Sequence, residues 1–352
     1  MNELLKRHSF SATFLVLFIG SVLFFTGGDN DIQQLNGLTM GTGYQLQLVD
    51  MPQDIAIEDL AEDVGELLSQ LDTEIFSTYA SNSELSRFNR HAVNGPFIAS
   101  NEMIEVLLMA QEISGLSGGA FDVSVGPLVN LWGFGPDLGV FETAPTQSQI
   151  DAARDKVGFQ FLRISPSSQE IRKTRDVYVD LSAIAKGYAV DQLAEYLDQL
   201  GVDNYFLEIG GELKIKGSKP GGEGWVPAIE APIDTASQVY QIFYSRGDNI
   251  AVAGSGDYRN YFEEDGQRYS HEIDPRSGRP ITHRLVAAYV IDESTARADA
   301  LATTYMILGP DAAEALASRQ GQAVYFIYKS DEGGFEDYVS PEFYHYLGND
   351  LD

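Results

Sequence analysis

The chain of 352 residues contains no cysteine, which excludes disulfides, thiolate zinc sites, iron–sulfur clusters and cysteine nucleophiles. Histidine is scarce as well. Five are scattered along the sequence, at His8, His91, His271, His283 and His345, and none pair at the helical spacing of an HExxH metal site. A soft or borderline metal therefore has little to hold it. Positive charge is the third shortage: 23 basic residues stand against 52 acidic ones, a formal net charge of -29. Phosphate backbones are repelled by such a surface and no cationic stripe exists to neutralise them, so nucleic acid is not an expected partner. Any anionic ligand must find positive potential in main-chain amides, helix N-termini or a metal. Neither GxGxxG nor GxxxxGK[ST] occurs, so no Rossmann or P-loop phosphate cradle is indicated.

What is present suffices for a globular protein, since 44% hydrophobic and 11% aromatic residues can build a sizeable core. The first thirty residues stand apart. Lys6, Arg7 and His8 precede an uncharged run from Ser9 to Gly28, and Asp29 and Asp31 follow it. Basic before and acidic after is the export orientation. The run, of roughly 20 residues, is long enough to span a bilayer as an anchor, although its most apolar part, from Phe14 to Phe25, has the size of a signal-peptide core. Residues 1–30 are read as an export signal or N-terminal membrane anchor, which places the rest of the chain on the outer side of the membrane.

Residues 31–352 contain no repeat, low-complexity tract or Pro/Ser-rich linker, and are expected to form one catalytic-size domain. Helical patterns cover 57–75, 101–114 with Ser100 as N-cap, 147–156 with a Thr146/Gln149 capping box, 183–200 with Ser182 as cap, 295–308 and 311–320. Strand patterns cover 43–49, 177–180, 204–209, 212–216, 225–230, 239–244, 249–253, 286–291 and 323–328, with a hairpin turning at Asp265-Gly266. Tight turns between neighbouring strands predict antiparallel pairing, hence an α+β (mixed α/β) class with largely antiparallel sheets packed with helices.

Five stretches bear on the chemistry. "GLSGG" at 115–119 fits the G-x-S-x-G template, but a helical pattern precedes Ser117 where a hydrolase elbow needs a strand; the glycines more simply end that helix. "GGAFDVSVGPLVNLWGFG" at 118–135 gathers glycines, aromatics and Asp122, and serves equally as a wall for a planar ligand or a packed structural loop. "VYVDLSAIAKGYAVD" at 177–191 places Asp180 and Lys186 at a helix N-terminus, suited to a diphosphate or to an ordinary strand–turn–helix. "SHEIDPRSGRPI" at 270–281 holds His271 beside a turn, where it reads as a general base or a structural strand residue. Finally, Asp299 and Thr303 in "TARADALATTYMILG" lie four apart on a helix with a good apolar face, so two hard oxygens converge on one point.

Taken in order, "MGTGYQL", "FSTYASNSELSRFN", "GGAFDVSVGPLVNLWGFGP", "VDLSAIAKGYAVD", "LEIGGELKIKG", "AGSGDYRNYFEEDGQRYSHEIDPRSGRPI" and "ADALATTYMILG" resemble the ApbE family of FAD:protein FMN transferases over nearly the whole chain after the signal. The resemblance implies a T-fold-like catalytic domain and a Mg2+-dependent transfer. The FMN half of FAD would pass to a Thr or Ser hydroxyl of an acceptor flavoprotein, such as a subunit of Nqr or Rnf redox pumps, forming a phosphoester and releasing AMP. It implies FAD contacts at Met40, Tyr79, Ala120, Phe121, Asp122, Asp180, Lys186 and Ile273. Metal ligands would be Asp299, Thr303 and the carbonyl of Ala183, and His271 would be the acid/base candidate. Oxygen-only ligation suits Mg2+, and an acidic protein that binds a diphosphate needs such a cation. Many exported relatives carry a lipobox cysteine; here "FFTGGDN" stands instead, leaving an uncleaved helix or a cleaved signal, on the periplasmic side of an inner membrane. The alternatives are an FAD pyrophosphatase giving FMN and AMP, and a non-catalytic periplasmic FAD-binding protein.

Overall fold

One antiparallel sheet of eight strands organises the molecule and takes its strands in chain order. They are β1 Gln33–Thr39, β2 Thr42–Val49, β3 Asn204–Ile209, β4 Glu212–Lys216, β5 Ile250–Gly256, β6 Leu285–Asp292, β7 Ala323–Lys329 and β8 Phe335–Val339. The structure is a computed structural model that describes residues 32–136, 144–233, 238–258, 261–264 and 267–348. The N-terminal segment read as an export signal or anchor lies outside the described residues. Among those described, no helix is long and apolar enough to cross a membrane.

Both faces of the sheet are covered. On one face, helices α1 Ile57–Ser69, α2 Glu84–Arg90, α3 Asn101–Leu116, α6 Ala185–Gln199, α7 Thr295–Leu308 and α8 Pro310–Gln320 share the main core. On the other, Trp225, Ile229, Phe243 and Phe343 pack on Ile215, Val252, Ile291 and Tyr325. A sheet buried on both sides selects continuous apolar strands rather than alternating ones, as in "AVYFIY" of β7, buried at six consecutive positions. The short helices α4 Gly126–Leu131 and α5 Gln147–Arg154 form a third cluster around Trp132 and Ile150. The expected α+β architecture, antiparallel and helix-packed, is the one observed.

Four local expectations change. The 57–75 helix is α-helical only to Ser69 and continues as a π-helical turn, Gln70–Phe76. Residues 177–180 form no strand: a lone bridge joins Tyr178 to Val125, and the Asn89 side chain takes both polar groups of Val179, accepting its N–H at 2.7 Å and donating to its carbonyl at 2.8 Å. The 183–200 helix begins two residues later, at Ala185, with Ile184 as an uncapped first residue, so Ser182 does not cap it. Helix α7 has no single apolar face. It is buried almost all round, because β5 and β6 press on it from one side and α3, α6 and α8 from the others.

Candidate active site

The sheet, α6 and α7 frame a cavity of about 920 Å³, the size of a site for a large organic ligand. Its floor depends on how closely α6 crosses α7. A Cβ on Gly187 would lie 2.4 Å from the Thr295 carbonyl oxygen and 2.7 Å from Ala296 Cα, so only glycine permits this crossing. The approach is locked by Asp191 on α6, whose carboxylate accepts from Ser294 Oγ at 2.8 Å and from the N–H groups of Thr295 at 2.8 Å and Ala296 at 3.0 Å. A carboxylate there satisfies orphan donors of α7 and opposes the positive end of its dipole.

The crossing has a chemical result. The Gly187 N–H, one of the orphan donors in the first turn of α6, donates to Asp299 Oδ2 at 3.1 Å. Ala183 sits in the turn before α6. Ala183, Asp299 and Thr303 all line the cavity, and Thr303 is one of the few positions of α7 not fully buried. One carboxylate, one hydroxyl and one carbonyl are hard oxygens of the kind a small divalent cation takes while keeping several waters. Among the described residues there is no group of three or more His, Cys, Asp or Glu side chains that could hold a metal ion.

Around this point the charges are unbalanced. Lys186 Nζ lies 2.6 Å from Glu212 Oε1, and Asp299 and Glu272 add their fields to the same ammonium. Burial works against the charge of Lys186, but the carboxylates outweigh it and raise its pKa. Burial likewise raises Glu212, Glu272 and Asp299, with Lys186 opposing the shift at Glu212 and Asp299. Three buried carboxylates share one ammonium, a wall that favours a further cation.

The 270–281 segment forms the opposite lip. Ile273–Asp274 pairs with Arg279–Pro280, and Trp132 Nε1 donates to the Gly278 carbonyl at 2.9 Å, tying the lip to the α4 loop. His271 lines the cavity, with Nε2 at 4.0 Å from Glu272 Oε1 and its ring edge-on to Phe134 at 6.3 Å. Glu272 is fixed by Ser255 Oγ, which donates to Oε1 at 2.5 Å.

Of the remaining expected contacts, Ala120, Phe121, Asp122, Asp180, Lys186 and Ile273 line the cavity, whereas Met40 and Tyr79 are not part of its lining. Met40, at φ 49°, donates its N–H to Asp72 Oδ2 at 2.8 Å. Tyr79 is 72% exposed, close enough to Asp180 for that carboxylate to add to burial in raising its hydroxyl pKa. Asp122 organises its own loop: Oδ1 accepts from Ser124 N and Oγ at 2.8 and 2.6 Å, and Oδ2 accepts from Phe159 N at 2.8 Å. Ser117 ends α3 and accepts from Phe121 N at 3.1 Å, a helix-terminating role as the sequence predicts. Sequence reasoning missed Glu212 and Glu272; an acid directly after the Gly210-Gly211 turn was the available signal for the first.

The chain is similar in sequence and fold to known proteins. The ApbE family profile matches residues 40–326. An FAD:protein FMN transferase of Vibrio cholerae serotype O1 is 42% identical over 331 residues, covering 94% of this chain and 97% of that protein, and one of Salmonella typhimurium is 39% identical, covering 97% and 96%. Among solved structures, the flavinyl transferase ApbE of Pseudomonas stutzeri in its apo form superposes with a TM-score of 0.82 at 41% identity, over 92% of this chain and 99% of that one. A match of this extent, in sequence and in fold, leaves one assignment: the chain belongs to the ApbE family.

Proposed function

We propose that the protein is an FAD:protein FMN transferase that requires Mg2+ and modifies a Thr or Ser hydroxyl of an acceptor flavoprotein. The observation that carries this reading is the meeting of Ala183, Asp299 and Thr303 in the lining of one cavity, with the Asp299 carboxylate fixed there by the Gly187 N–H. Transferase relatives at about 40% identity support the same activity. Mg2+, held by Ala183, Asp299 and Thr303, would neutralise the diphosphate of FAD and ease departure of its AMP half.

The chain's own residues do the rest. Lys186 at the start of α6, paired with Glu212 Oε1 at 2.6 Å, adds positive charge beside the diphosphate. Phe121 and Ile273 supply apolar wall for a planar ring. The acceptor oxygen bonds to the phosphorus of the FMN half, the P–O bond to AMP breaks, and the acceptor's hydroxyl proton passes to the His271 imidazole. Glu272, 4.0 Å from His271 Nε2, stabilises the imidazolium so formed.

The basic-then-apolar N-terminus, outside the described residues, supports export to the periplasmic face of an inner membrane, where Nqr- or Rnf-type subunits would be the acceptors. The test is to incubate the full-length chain with FAD, Mg2+ and an acceptor domain, following flavin mass on the acceptor and free AMP. Equal yields of both are expected. AMP without labelled acceptor would mean an FAD pyrophosphatase, and neither product a flavin-binding protein.

A further inference from the structure

Glu212, on the cavity wall, is a buried charged side chain that the mechanism above does not use. Glu212 is 2% exposed, and while Oε1 pairs with Lys186 Nζ at 2.6 Å, Oε2 is buried with no hydrogen-bond partner among the described residues. Its position is rigid. Glu212 is the first residue of β4 after the Gly210-Gly211 turn, where both glycines have positive φ, 59° and 104°, as a two-residue hairpin requires. A Cβ on Gly210 would lie 2.7 Å from Thr42 Cγ2, so the turn cannot readily be rebuilt with another residue. Lys186, by contrast, is a long flexible chain attracted by Asp299 and Glu272 as well as by Glu212.

Asp299 has two oxygens. Oδ2 takes the Gly187 N–H, which leaves Oδ1 as the oxygen for which a cation and the Lys186 ammonium, two like charges, would compete. We propose that Glu212 is a positioning residue that holds Lys186 away from Asp299, so that the Asp299 carboxylate is kept for the cation. This rests on the assignment of Asp299 as a cation ligand made above. Without Glu212 the ammonium swings to the next carboxylate, and the protein competes with its own metal site.

Binding of Mn2+ alone, read by electron paramagnetic resonance on the full-length chain without FAD, tests this apart from turnover. Removing a partner that orients a ligand typically weakens metal binding by about 10- to 100-fold, so E212Q should raise the Mn2+ dissociation constant by at least about tenfold, and E212Q/K186Q should return it to within about threefold of wild type. E212D, which keeps the charge, should retain both the fold and most of the affinity. A crystal structure of E212Q should show Lys186 Nζ in salt-bridge contact with Asp299. Wild-type affinity in E212Q overturns the inference; so does a loss that K186Q does not return, which would make Glu212 a ligand itself, and so does a Lys186 that stays off Asp299. Should D299N bind Mn2+ as tightly as wild type, the cation-site reading is what fails.

Discussion

The main-chain N–H of Gly187 donates to Asp299 Oδ2 at 3.1 Å across the contact of α6 with α7. This bond couples a packing constraint to a chemical one. The absence of a side chain at 187 brings the helices together, and the proximity lets an orphan donor of the first turn of α6 fix the Asp299 carboxylate. Gly187→Ala should therefore damage both. Overpacking of this kind costs about 1–3 kcal/mol, and the upper end is expected because the clashing atoms, the Thr295 carbonyl and Ala296 Cα, belong to a backbone that cannot rotate away. Urea unfolding measures the loss. Metal titration of the folded fraction should show weaker binding; an unchanged midpoint would mean that the crossing is looser than described.

Asp191 makes no contact with the expected ligands but sets the register of the helix that carries two of them. Its carboxylate takes three donors, two of them N–H groups of the first turn of α7. Hydrogen bonds to a charged acceptor contribute about 1.5–3 kcal/mol, and Asp191→Ala should lose about that much by thermal or urea unfolding. Asp191→Asn keeps an acceptor and should lose less than half.

His283 makes stability fall on acidification. Burial pushes its pKa below the ordinary value of 6.5, against the opposing contribution of the Met306 carbonyl, 2.8 Å from Nε2. A histidine lowered in the folded state binds its proton later than the unfolded chain does. Its contribution is thus complete above about pH 6.5 and is lost as pH falls towards the folded pKa. His283→Gln should flatten the decline in unfolding free energy between about pH 7 and pH 5. The same slope in both proteins would place the titration elsewhere.

His271 is only partly exposed, yet it stands at the cavity lip rather than in a core. Replacing it with Gln should leave the unfolding midpoint nearly unchanged and lower the rate of flavin transfer by about 100-fold or more, the usual contribution of a general base. A fall in stability equal to the loss in rate would mark His271 as structural.

The overall class could be read from the sequence because β3, β5, β6 and β7 each carry a run of apolar residues and β4 an alternating pattern after a tight Gly-Gly turn. The edge strands β1 and β8 could not: "QQLNGLT" and "FEDYV" are half polar, and their pairing is supplied by the neighbour. Residues 177–180 looked like a strand since Val177 and Val179 alternate with Tyr178 and Asp180, but it is the Asn89 amide 90 residues away that satisfies the backbone there. In the cavity, the Asp299 and Thr303 spacing was legible as one helical turn. The Lys186–Glu212 pair was not, since its members meet only when β4 is laid beside α6. The apparent apolar face of α7 misled for a similar reason: burial on every side is a property of its neighbours, not of its own period.

The most direct test of the account is flavin transfer by Asp299→Ala beside wild type, with FAD, Mg2+ and an acceptor domain, read as flavin mass on the acceptor and AMP released. Wild type should yield both products in equal amounts, and Asp299→Ala, folded by circular dichroism, should yield neither at any Mg2+ concentration that saturates wild type. Undiminished transfer by Asp299→Ala would contradict the cation site on which the proposed function rests.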